Sequence, residues 1–530
     1  MKIMKNIFLI FIIVLVATAC SNFLEEEAIS TYTTDNFPTN VQEAEALLNQ
    51  VYSDTREAYA DRWLFLATLP SEMVTTRRDG SDRRARLDNW EIDNTVDYIE
   101  DYWEDTYVSI GQANAVINFF KTGDVQVDEA IAQRLTAEAK VLRANAYFNI
   151  VTFYGEAPLN LKPIETLEDT ETPLSSIGEI YDAIIQDLLD AEPDLPHEYM
   201  GDANKGRMTR GAARALLGKV YLQKGADPAE VGSPQDFVEA EKWLREVVNA
   251  EDGGKNYILE DEFENLFGLQ NLESAKDSDE IIMQLWIDAD DCCDLRFHAH
   301  MVNRDSDFGG GQWGNFAAEV PFYLSYEDDD DRLQVTFLDS IYVERETDEG
   351  VVVDTFIYNP DNPLGDGYQH DGPTFQKYVD INSPDNSTSA NVFLIRYADV
   401  LLSLAEAINR QGGPTAEAID LVNQVRNRAD LADMDPEPTT QAEFTEDIFN
   451  ERRWELAFEG HGLRDGHRFF DLFEQRVEAH PNYELPPLIG DPDEQRVFDA
   501  VPEVPIDVTK ENIRFPVPQR EIDTNPAIDG

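Results

Sequence analysis

One tryptophan and five arginines stand between residues 70 and 96, and their chemistry suits the binding of a polar ring compound. The segment carries Trp90 together with Asp79, Arg83, Arg84 and Asn94. A flat aromatic ring can stack on the apolar face of a sugar, and Arg, Asp and Asn side chains can hydrogen-bond to its hydroxyl groups. We take these five residues as candidate ligand contacts. The alternative is that Trp90 packs in the interior and that the arginines only offset local acidity.

A second candidate segment lies between residues 308 and 326, where glycines surround Trp313 and where Tyr323 and Tyr326 follow. Glycine lets a backbone approach a ligand closely and can leave the neighbouring ring exposed. We therefore add Trp313 and Tyr323 to the candidate ligand contacts. The competing interpretation is that Trp313 is a buried anchor.

Metal and catalytic motifs are weak in this chain. His298 and His300 would share one face if this segment were a strand, but two histidines without a third fixed ligand do not define a zinc site. Residues 327–331 (EDDDD) offer oxygen ligands that could hold calcium, yet they lack the spacing of an EF-hand loop, so a solvated acidic run is favoured. We expect no metal and no cofactor.

Sequence motifs typical of catalytic sites are also missing from this sequence. The sequence contains no G-x-S-x-G, P-loop, H-E-x-x-H or Cys/His nucleophile pattern. Paired carboxylates suited to glycoside hydrolysis carry no weight in a chain with 105 acidic residues. We expect no catalytic residue and a protein that is not an enzyme.

Cys20 follows a short export-type segment. Lys2 and Lys5 precede an apolar run over residues 7–16, which is too short to span a bilayer, and Ala-Thr-Ala stands directly before the cysteine. This arrangement resembles a bacterial lipobox, in which the cysteine is acylated and becomes the first mature residue. We predict a signal peptide over residues 1–19 and lipidation at Cys20. The alternative is a soluble secreted protein whose cysteine stands there by chance.

The two remaining cysteines, Cys292 and Cys293, are adjacent, so no disulfide framework holds this fold together. They could close a strained vicinal disulfide in an oxidising compartment, or they could be two free thiols. Both states stay open.

The charge balance is strongly acidic, with 42 Lys and Arg against 105 Asp and Glu and a net charge of −63. Nucleic acid and anionic lipid headgroups are therefore disfavoured as partners, because binding phosphate requires a basic surface. Repulsion on this scale costs stability unless salt screens it, so we expect a salty working environment. The alternative is an acidic surface without that adaptation.

Apolar residues at helical spacing predict a mostly α-helical chain. The predicted helices cover residues 41–59, 102–120, 131–154, 177–191, 209–224, 234–250, 393–410 and 415–428. Residues 217–221 (LGKVY) match the L-G-x2-Y core of a tetratricopeptide repeat, in which Gly218 would allow close helix contact. Residues 70–96 are predicted to be a long loop, and residues 281–287 and 351–358 are predicted strands.

Ordered motifs run through nearly the whole mature chain. They are residues 20–24 (CSNFL), 109–117 (SIGQANAVI), 137–148 (AEAKVLRANAYF), 154–159 (YGEAPL), 395–402 (IRYADVLL), 422–429 (VNQVRNRA), 451–460 (ERRWELAFEG), 470–472 (FDL) and 515–519 (FPVPQ). With these motifs the chain resembles the SusD/RagB-type nutrient-binding lipoproteins of the Bacteroidetes.

That resemblance implies a scaffold of four tetratricopeptide-like helical pairs with a less regular, loop-rich ligand-binding region that has a few short strands. It implies a place on the outer membrane at the cell surface, over a SusC-like TonB-dependent transporter. Proteins of this kind capture oligosaccharides, or in some members peptides, before import. In the family, the segment after the first helix contributes to the glycan site, which favours residues 70–96 here, although no fixed motif aligns there.

The domain boundaries follow from the same resemblance. A lipidated tether over residues 20–38 precedes one SusD-like domain over residues 39–530. Within that domain, the scaffold is predicted over residues 39–250 and 391–475, with the ligand-binding insertion over residues 255–390. A C-terminal tail over residues 481–530 is predicted to wrap the surface.

Two departures from the family pattern occur near the end of the scaffold. Residues 462–467 (GLRDGH) look like a short insertion, and residues 473–476 (FEQR) replace a usual basic cluster. We interpret both as local surface variation. The charged motif residues are interpreted as buried ion pairs of the scaffold rather than as catalysts. They are Arg396, Glu406, Glu451, Arg452 and Asp471.

These patterns together predict a surface lipoprotein that binds oligosaccharide for a TonB-dependent transporter. A peptide binder of the same architecture is the nearest alternative. A surface glycoside hydrolase and a purely structural subunit without ligand contact are more distant ones.

Overall fold

The computed structural model describes residues 40–76, 82–122, 127–201, 204–250, 252–287, 295–301, 313–338, 340–347, 350–357, 373–380, 388–434, 437–478 and 508–528. The predictions for Cys20, for the tether, for Asp79 and for Cys292 and Cys293 fall outside the described residues.

Helices dominate the described part of the chain. They are α1 (Val41–Ala58), α2 (Asp61–Thr68), α3 (Asp82–Asp88), α4 (Asp97–Thr122), α5 (Glu129–Phe153), α6 (Ile177–Ala191), α7 (Arg210–Gly225), α8 (Pro234–Asn249), α9 (Glu264–Phe267), α10 (Leu272–Ala275), α11 (Phe297–Met301), α12 (Val320–Tyr323), α13 (Arg332–Thr336), α14 (Tyr397–Gly412), α15 (Ala416–Arg428), α16 (Gln441–Glu455), α17 (Gly462–Arg468), α18 (Phe470–Glu478) and α19 (Gln519–Thr524). Two short 3-10 helices cover Leu167–Thr170 and Glu192–Asp194.

The strands are short and pair two by two, always antiparallel. They are β1 (Val74–Thr76), β2 (Ala157–Pro158), β3 (Leu174–Ser175), β4 (Ile281–Leu285), β5 (Phe316–Ala318), β6 (Phe337–Leu338), β7 (Ser340–Thr347), β8 (Gly350–Ile357), β9 (Thr374–Phe375) and β10 (Val392–Arg396). The pairs among the described residues are β1 with β5, β2 with β3, β4 with β10, β6 with β9, and β7 with β8. The predicted strands at residues 281–287 and 351–358 are confirmed by β4 and β8.

The long helices form a continuous scaffold in which each packs on the next. Helix α4 packs on α1 and α5, α6 follows α5, and α7 lies between α6 and α8. The scaffold continues where α8 packs on α14, which in turn contacts α15 and α16. The predicted mostly α-helical fold is confirmed by these helices. Helical pairs stacked in this way bury one continuous core.

Local signals explain where several helices begin and end. Thr209 and Thr415 accept hydrogen bonds from backbone N–H groups in the first turns of α7 and α15, and Ser176 and Glu179 form a capping box at α6. Helix α5 stops before Gly155, whose φ of +80° suits glycine. At Gly218 a Cβ atom would lie 2.7 Å from Cγ of Leu244, so the predicted close helix contact is confirmed.

Two sequence predictions about secondary structure are wrong in part. The helix predicted over residues 393–410 begins only at Tyr397, because residues 392–396 form β10 against β4. This run of buried branched and aromatic side chains suits a strand enclosed on both faces. Residues 70–96 are likewise not one long loop, since they contain β1 and α3.

The described part of the C-terminal tail lies against the helical scaffold. The Phe515 amide donates a hydrogen bond to the carbonyl of Phe153 at 2.7 Å, and the Arg514 guanidinium holds both carboxylate oxygens of Asp227. The Asn525 amide reaches the carbonyl of Thr172 at 2.9 Å. Across the described residues, none of the helices combines the length and the apolar character that a membrane crossing requires.

Candidate functional site

A two-stranded ribbon of β1 and β5 joins the two candidate segments that stand far apart in the sequence. Val74 pairs with Ala318 and Thr76 pairs with Phe316. The backbone continues this contact, since the Glu319 amide donates to the carbonyl of Met73 at 2.9 Å. The ribbon therefore places Thr76 beside Phe316, which stands three residues after Trp313.

Helix α3 is fixed to the ribbon through Asp88. One carboxylate oxygen of Asp88 accepts hydrogen bonds from the Thr76 amide at 2.9 Å, the Thr76 hydroxyl at 3.0 Å and the Thr75 hydroxyl at 3.1 Å. Leu87 is fully buried and anchors the same end of the helix in the core. Burial and, after it, the nearby charge of Glu319 raise the pKa of Asp88 to about 7, although the hydrogen bonds from the threonines lower it.

Five rings form an aromatic cluster next to the ribbon: Phe65, Tyr98, His300, Trp313 and Phe316. The Phe65 ring centroid lies 4.8 Å from those of Tyr98 and His300 and 5.3 Å from that of Phe316. His300 then contacts Trp313 nearly edge-on at 4.7 Å. Phe65 and Phe316 are buried, whereas Trp313 is half-buried and lies at the margin of the cluster.

Trp313 is held by backbone contacts to helix α11. Its amide donates to the carbonyl of Ala299 at 2.7 Å, and Gly314 has a φ of +56° that favours glycine. The Asn315 side chain bonds His300 Nδ1 at 2.6 Å. The Arg296 guanidinium lies 5.7 Å from the Trp313 ring centroid. The indole therefore has a fixed orientation while part of its surface remains exposed.

Two of the three arginines of α3, Arg83 and Arg84, also contact rings of this cluster. The Arg83 guanidinium lies 5.0 Å from the Tyr98 ring centroid and forms an exposed ion pair with Asp97 at 3.2 Å. The Arg84 guanidinium lies 6.0 Å from the Phe65 ring centroid. Among the described residues, no hydrogen bond or ion pair is formed by Arg84, and its Nε is shielded from solvent. The structure thus gathers Arg83, Arg84 and Trp313 around Phe65.

Tyr323 lies at the far end of a run of contacting rings that begins at this cluster. Its ring is 5.2 Å from Phe337, which contacts Phe375 at 5.3 Å. Phe375 stacks on Phe458 at 4.1 Å, and Phe458 contacts Phe316 at 5.5 Å. Tyr323 is thus joined to the cluster through the core and has no direct ring contact with Trp313 in the described part of the chain.

Trp90 and Asn94 contact residues outside the aromatic cluster. Trp90 has a left-handed φ of +58°, is half-buried and meets Phe473 at 6.1 Å. The Asn94 amide donates to the side chain of Gln519 at 2.8 Å, while its carbonyl accepts from the Gln519 amide at 2.9 Å. The ring contacts of the described residues do not connect Trp90 to the cluster. In this structure Asn94 holds the C-terminal segment.

Sequence reasoning missed Phe65, Tyr98 and Arg296 as neighbours of the site. Phe65 stands in an apolar stretch of α2 that looks like ordinary core, and only the pairing of β1 with β5 brings it near Trp313. The condition under which His298 and His300 would share one face is not met, because residues 297–301 are helical rather than a strand. Among the described residues, no cluster of potential metal ligands is present.

Most of the charged motif residues are buried in ion networks, as predicted. Arg396 binds Glu280 and Glu459, each at 2.6 Å, and Arg332 binds Glu451 at 2.6 Å. Burial alone would raise the pKa of Glu455, but Arg428, Arg396 and Arg332 together hold it far below its ordinary value. These groups contact one another and not the aromatic cluster, so we assign them to the scaffold.

A second buried network surrounds Arg452. Arg452 binds Asp399 at 2.8 Å and Asp465 at 2.9 Å, and Lys219 pairs with the same Asp399. Arg468 joins Asp465 at 2.7 Å, and Arg468 also binds Glu406 at 3.0 Å. The predicted burial is confirmed for Arg452 and Glu406, but it is wrong for Asp471, which is exposed.

The interpretation of residues 462–467 as surface variation is also wrong. They form most of α17, whose side chains are buried and whose Asp465 and Arg468 belong to the second network. Opposite charges from α14 and α16 accommodate them in the interior. The acidic run at residues 327–331 is likewise only partly solvated, since Asp330 binds Arg332 at 2.7 Å and Glu327 binds Arg426 at 2.8 Å.

A small cleft of about 10 Å³, roughly the space of one water molecule, lies between α16, α17 and the residues just before β1. Its lining includes Glu72, Arg453, Arg452 and Asp465. Glu72 pairs with Arg453 at 2.5 Å, and Arg452 pairs with Asp465. Its charged groups are therefore already neutralised by each other, which favours the aromatic cluster over this cleft as the ligand site.

Comparisons with known proteins agree over most of the chain. A family model described as the SusD family matches residues 225–529, and a model described as "Starch-binding associating with outer membrane" matches residues 22–222. The SusD-like protein P2 of Formosa agariphila is 26% identical over 468 residues, which cover 86% of this chain and 89% of that protein.

Solved structures show the same architecture. A SusD homolog from Bacteroides thetaiotaomicron superposes with a TM-score of 0.78 at 23% identity, covering 94% of this chain and 97% of that chain. A laminarin-binding SusD-like protein superposes with a TM-score of 0.70 at 24% identity, covering 93% and 99%. At these identities the likeness establishes the fold.

Proposed function

The chain belongs to the SusD family, and from that premise we propose that it binds oligosaccharide at the cell surface for a TonB-dependent transporter. The family is one of binding proteins associated with the outer membrane, and one solved relative is a laminarin-binding protein. The proposal extends that property to this chain. It assigns the protein a role in capture and delivery and no catalytic step.

The observation that carries the proposal is the meeting of Trp313, Arg83 and Arg84 around Phe65. A half-buried indole in a fixed orientation offers apolar surface to a sugar ring at little entropic cost. Two guanidinium groups supply fork-like donors for hydroxyl or carboxylate oxygens. Aromatic surface next to bidentate donors is the combination that recognition of a sugar requires.

The proposed contacts therefore centre on Trp313, with Arg83 and Arg84 as polar partners. Trp90, Asn94 and Tyr323 stay predictions as more distant contacts, because their neighbours in the structure are Phe473, Gln519 and Phe337. Asp79 stays a prediction outside the described residues.

Calorimetric titration with a series of oligosaccharides tests the proposal. We expect binding of at least one glycan and a loss of at least tenfold in affinity for Trp313→Ala, since hot-spot aromatics dominate such contacts. Trp243→Ala is the matched control, because Trp243 is also half-buried but lies on scaffold helix α8 beside Lys242. That variant should lower thermal stability and leave the affinity unchanged.

Three results would contradict the proposal. Equal affinity for wild type and Trp313→Ala would remove the site from the aromatic cluster. Release of new reducing ends during incubation with polysaccharide would indicate a glycoside hydrolase. Binding of peptides in preference to every glycan would favour the peptide-binding role.

Delivery to a transporter requires a protein held at the membrane, which we propose occurs through lipidation of Cys20. The Cys20→Ala protein should bind glycan in solution with wild-type affinity, yet cells that carry only this variant should take up the glycan more slowly. The measurement is uptake of a labelled oligosaccharide by matched strains. Wild-type uptake by the variant strain would contradict the anchoring role.

A further inference from the structure

Arg84 forms neither a hydrogen bond nor an ion pair within the part of the chain that the structure describes. Its guanidinium faces the Phe65 ring, and its Nε is buried without a hydrogen bond. Several other described arginines, such as Arg428 and Arg464, also have a buried Nε without a partner, but they form hydrogen bonds through their terminal nitrogens, as Arg428 does to Glu280 and Glu455. A half-buried guanidinium stays charged at every physiological pH and leaves several donors to be satisfied.

The position of Arg84 is built into the fold rather than left to a loose side chain. Helix α3 is tied at its C-terminal end by the three hydrogen bonds to Asp88 and by buried Leu87. Strand β1, which supplies those donors, is paired with β5 three residues beyond Trp313. Arg84 and Trp313 are therefore held on the same aromatic cluster by regular backbone structure.

The neighbouring basic side chains strengthen the local positive charge. Arg83 is paired with Asp97, but this pair is exposed, with 47% and 61% of the two side chains accessible, so it is weak and can be exchanged for another anion. Arg296 lies over the Trp313 ring. A chain with a net charge of −63 thus presents three arginines around one aromatic cluster.

We propose that the ligand is an anionic oligosaccharide, whose carboxylate or sulfate group binds Arg84 while a sugar ring packs on Trp313. This inference rests on the proposed function and names its substrate class. An incoming carboxylate or sulfate would satisfy the fork of donors bidentately, which a neutral hydroxyl cannot do. The acidic surface elsewhere disfavours a polyanion, so the arginines confine binding to this cluster.

Three hexasaccharides test the inference: one of a polyuronate, one of a sulfated galactan and one of neutral laminarin. Titrations at one ionic strength should show that at least one anionic probe binds ten or more times tighter than the neutral probe. Whichever of the two anionic hexasaccharides binds more tightly identifies carboxylate or sulfate as the recognised group.

Arg84→Gln should weaken binding of the preferred anionic probe at least tenfold. Arg86→Gln is the matched control, because it removes the same charge from the same helix while Arg86 already pairs with Asp93 at 2.5 Å. That control should change the affinity less than threefold. Arg84→Lys keeps the positive charge but lacks the forked set of guanidinium donors, so it should bind with an intermediate affinity. If Arg84→Gln does not fold, the Arg84→Lys variant still tests the inference.

The outcomes separate this inference from the proposed function. Neutral laminarin binding as tightly as both anionic probes, or equal losses in Arg84→Gln and Arg86→Gln, would overturn the anionic substrate while leaving glycan binding intact. Failure of the protein to bind any oligosaccharide across the wider panel would overturn both.

Discussion

Asp88 is the residue on which the geometry of the candidate site depends, although it touches no ring of the aromatic cluster in the described structure. It accepts two hydrogen bonds from Thr76 and one from Thr75, and so joins α3 to the β1–β5 ribbon. Burial and the charge of Glu319 raise its pKa from 3.8 to about 7. The carboxyl group therefore holds a proton in the folded protein at pH values where it is ionised in the unfolded chain.

This raised pKa predicts a specific effect of pH on stability. Between about pH 4 and pH 7 the folded state binds the Asp88 proton and the unfolded state does not, so the contribution of Asp88 falls as pH rises through this window. Asp88→Asn cannot ionise and still offers an oxygen to the Thr76 amide. The difference in free energy of unfolding between the variant and wild type should therefore shift in favour of the variant by on the order of 1 kcal/mol when the pH is raised from 4.5 to 8.

Urea denaturation at the two pH values measures this difference. Binding of the preferred oligosaccharide should stay within a few-fold of wild type, because the hydrogen bonds that place α3 are retained. A variant that loses more stability at pH 8 than at pH 4.5 would show that Asp88 is an ionised acceptor whose threonine partners outweigh its burial.

At the scale of elements, the contact between α7 and α8 depends on the absence of a side chain at Gly218. A methyl group there would lie 2.7 Å from Cγ and 2.8 Å from Cδ2 of Leu244, and Leu244 is fully buried. Overpacking of a core costs about 1–3 kcal/mol, whereas alanine in place of glycine gains about 1 kcal/mol in helix propensity. We therefore expect Gly218→Ala to lower the free energy of unfolding by up to about 2 kcal/mol.

Gly111 in α4 provides the matched control. It also lies within a long helix, but a methyl group there would meet nothing within 4 Å. Gly111→Ala should therefore raise the free energy of unfolding by up to about 1 kcal/mol. Equal effects of the two substitutions in a denaturation experiment would mean that α8 can move away from α7 without cost.

The long helices could be predicted from the sequence because their determinants are local. Apolar residues recur with the helical period, and capping residues such as Ser176 and Thr415 stand at the predicted ends. Strand β10 was missed because its buried run of Val392, Phe393, Leu394 and Ile395 also fits a helix that continues into α14. Only its pairing with β4 distinguishes the two structures.

The candidate site was predictable in part for the same reason. Residue types identified Arg83, Arg84 and Trp313, since aromatic and bidentate polar groups mark sugar-binding surfaces. Their meeting at Phe65 depends on the pairing of β1 with β5, which no local pattern encodes. The charged helix α17 was misread because the groups that neutralise it, such as Glu406 and Arg452, come from distant helices.

At the scale of the whole molecule, the charges divide between a neutralised interior and an acidic remainder. The buried arginines and lysines of the two networks are met by carboxylates at close range, as in the pairs of Arg332 with Asp330 and of Lys377 with Glu459. Such pairs favour one specific arrangement of the helices more than they add stability. With 42 basic residues in all, the 105 acidic residues leave an excess of 63 negative charges.

This excess predicts that salt stabilises the folded protein. Raising NaCl from 0.05 M to 1 M shortens the Debye length from about 14 Å to about 3 Å, which weakens both surface ion pairs and the repulsion among carboxylates. Surface pairs such as Arg83–Asp97 contribute little each, and 63 acidic residues have no basic residue to pair with, so the loss of repulsion outweighs the loss of attraction. The melting temperature should rise by several degrees over this range, as thermal unfolding followed by circular dichroism would measure. Sodium and potassium chloride should act alike, because screening depends on ionic strength, whereas a flat or falling melting temperature would show that the carboxylates are too far apart to repel one another.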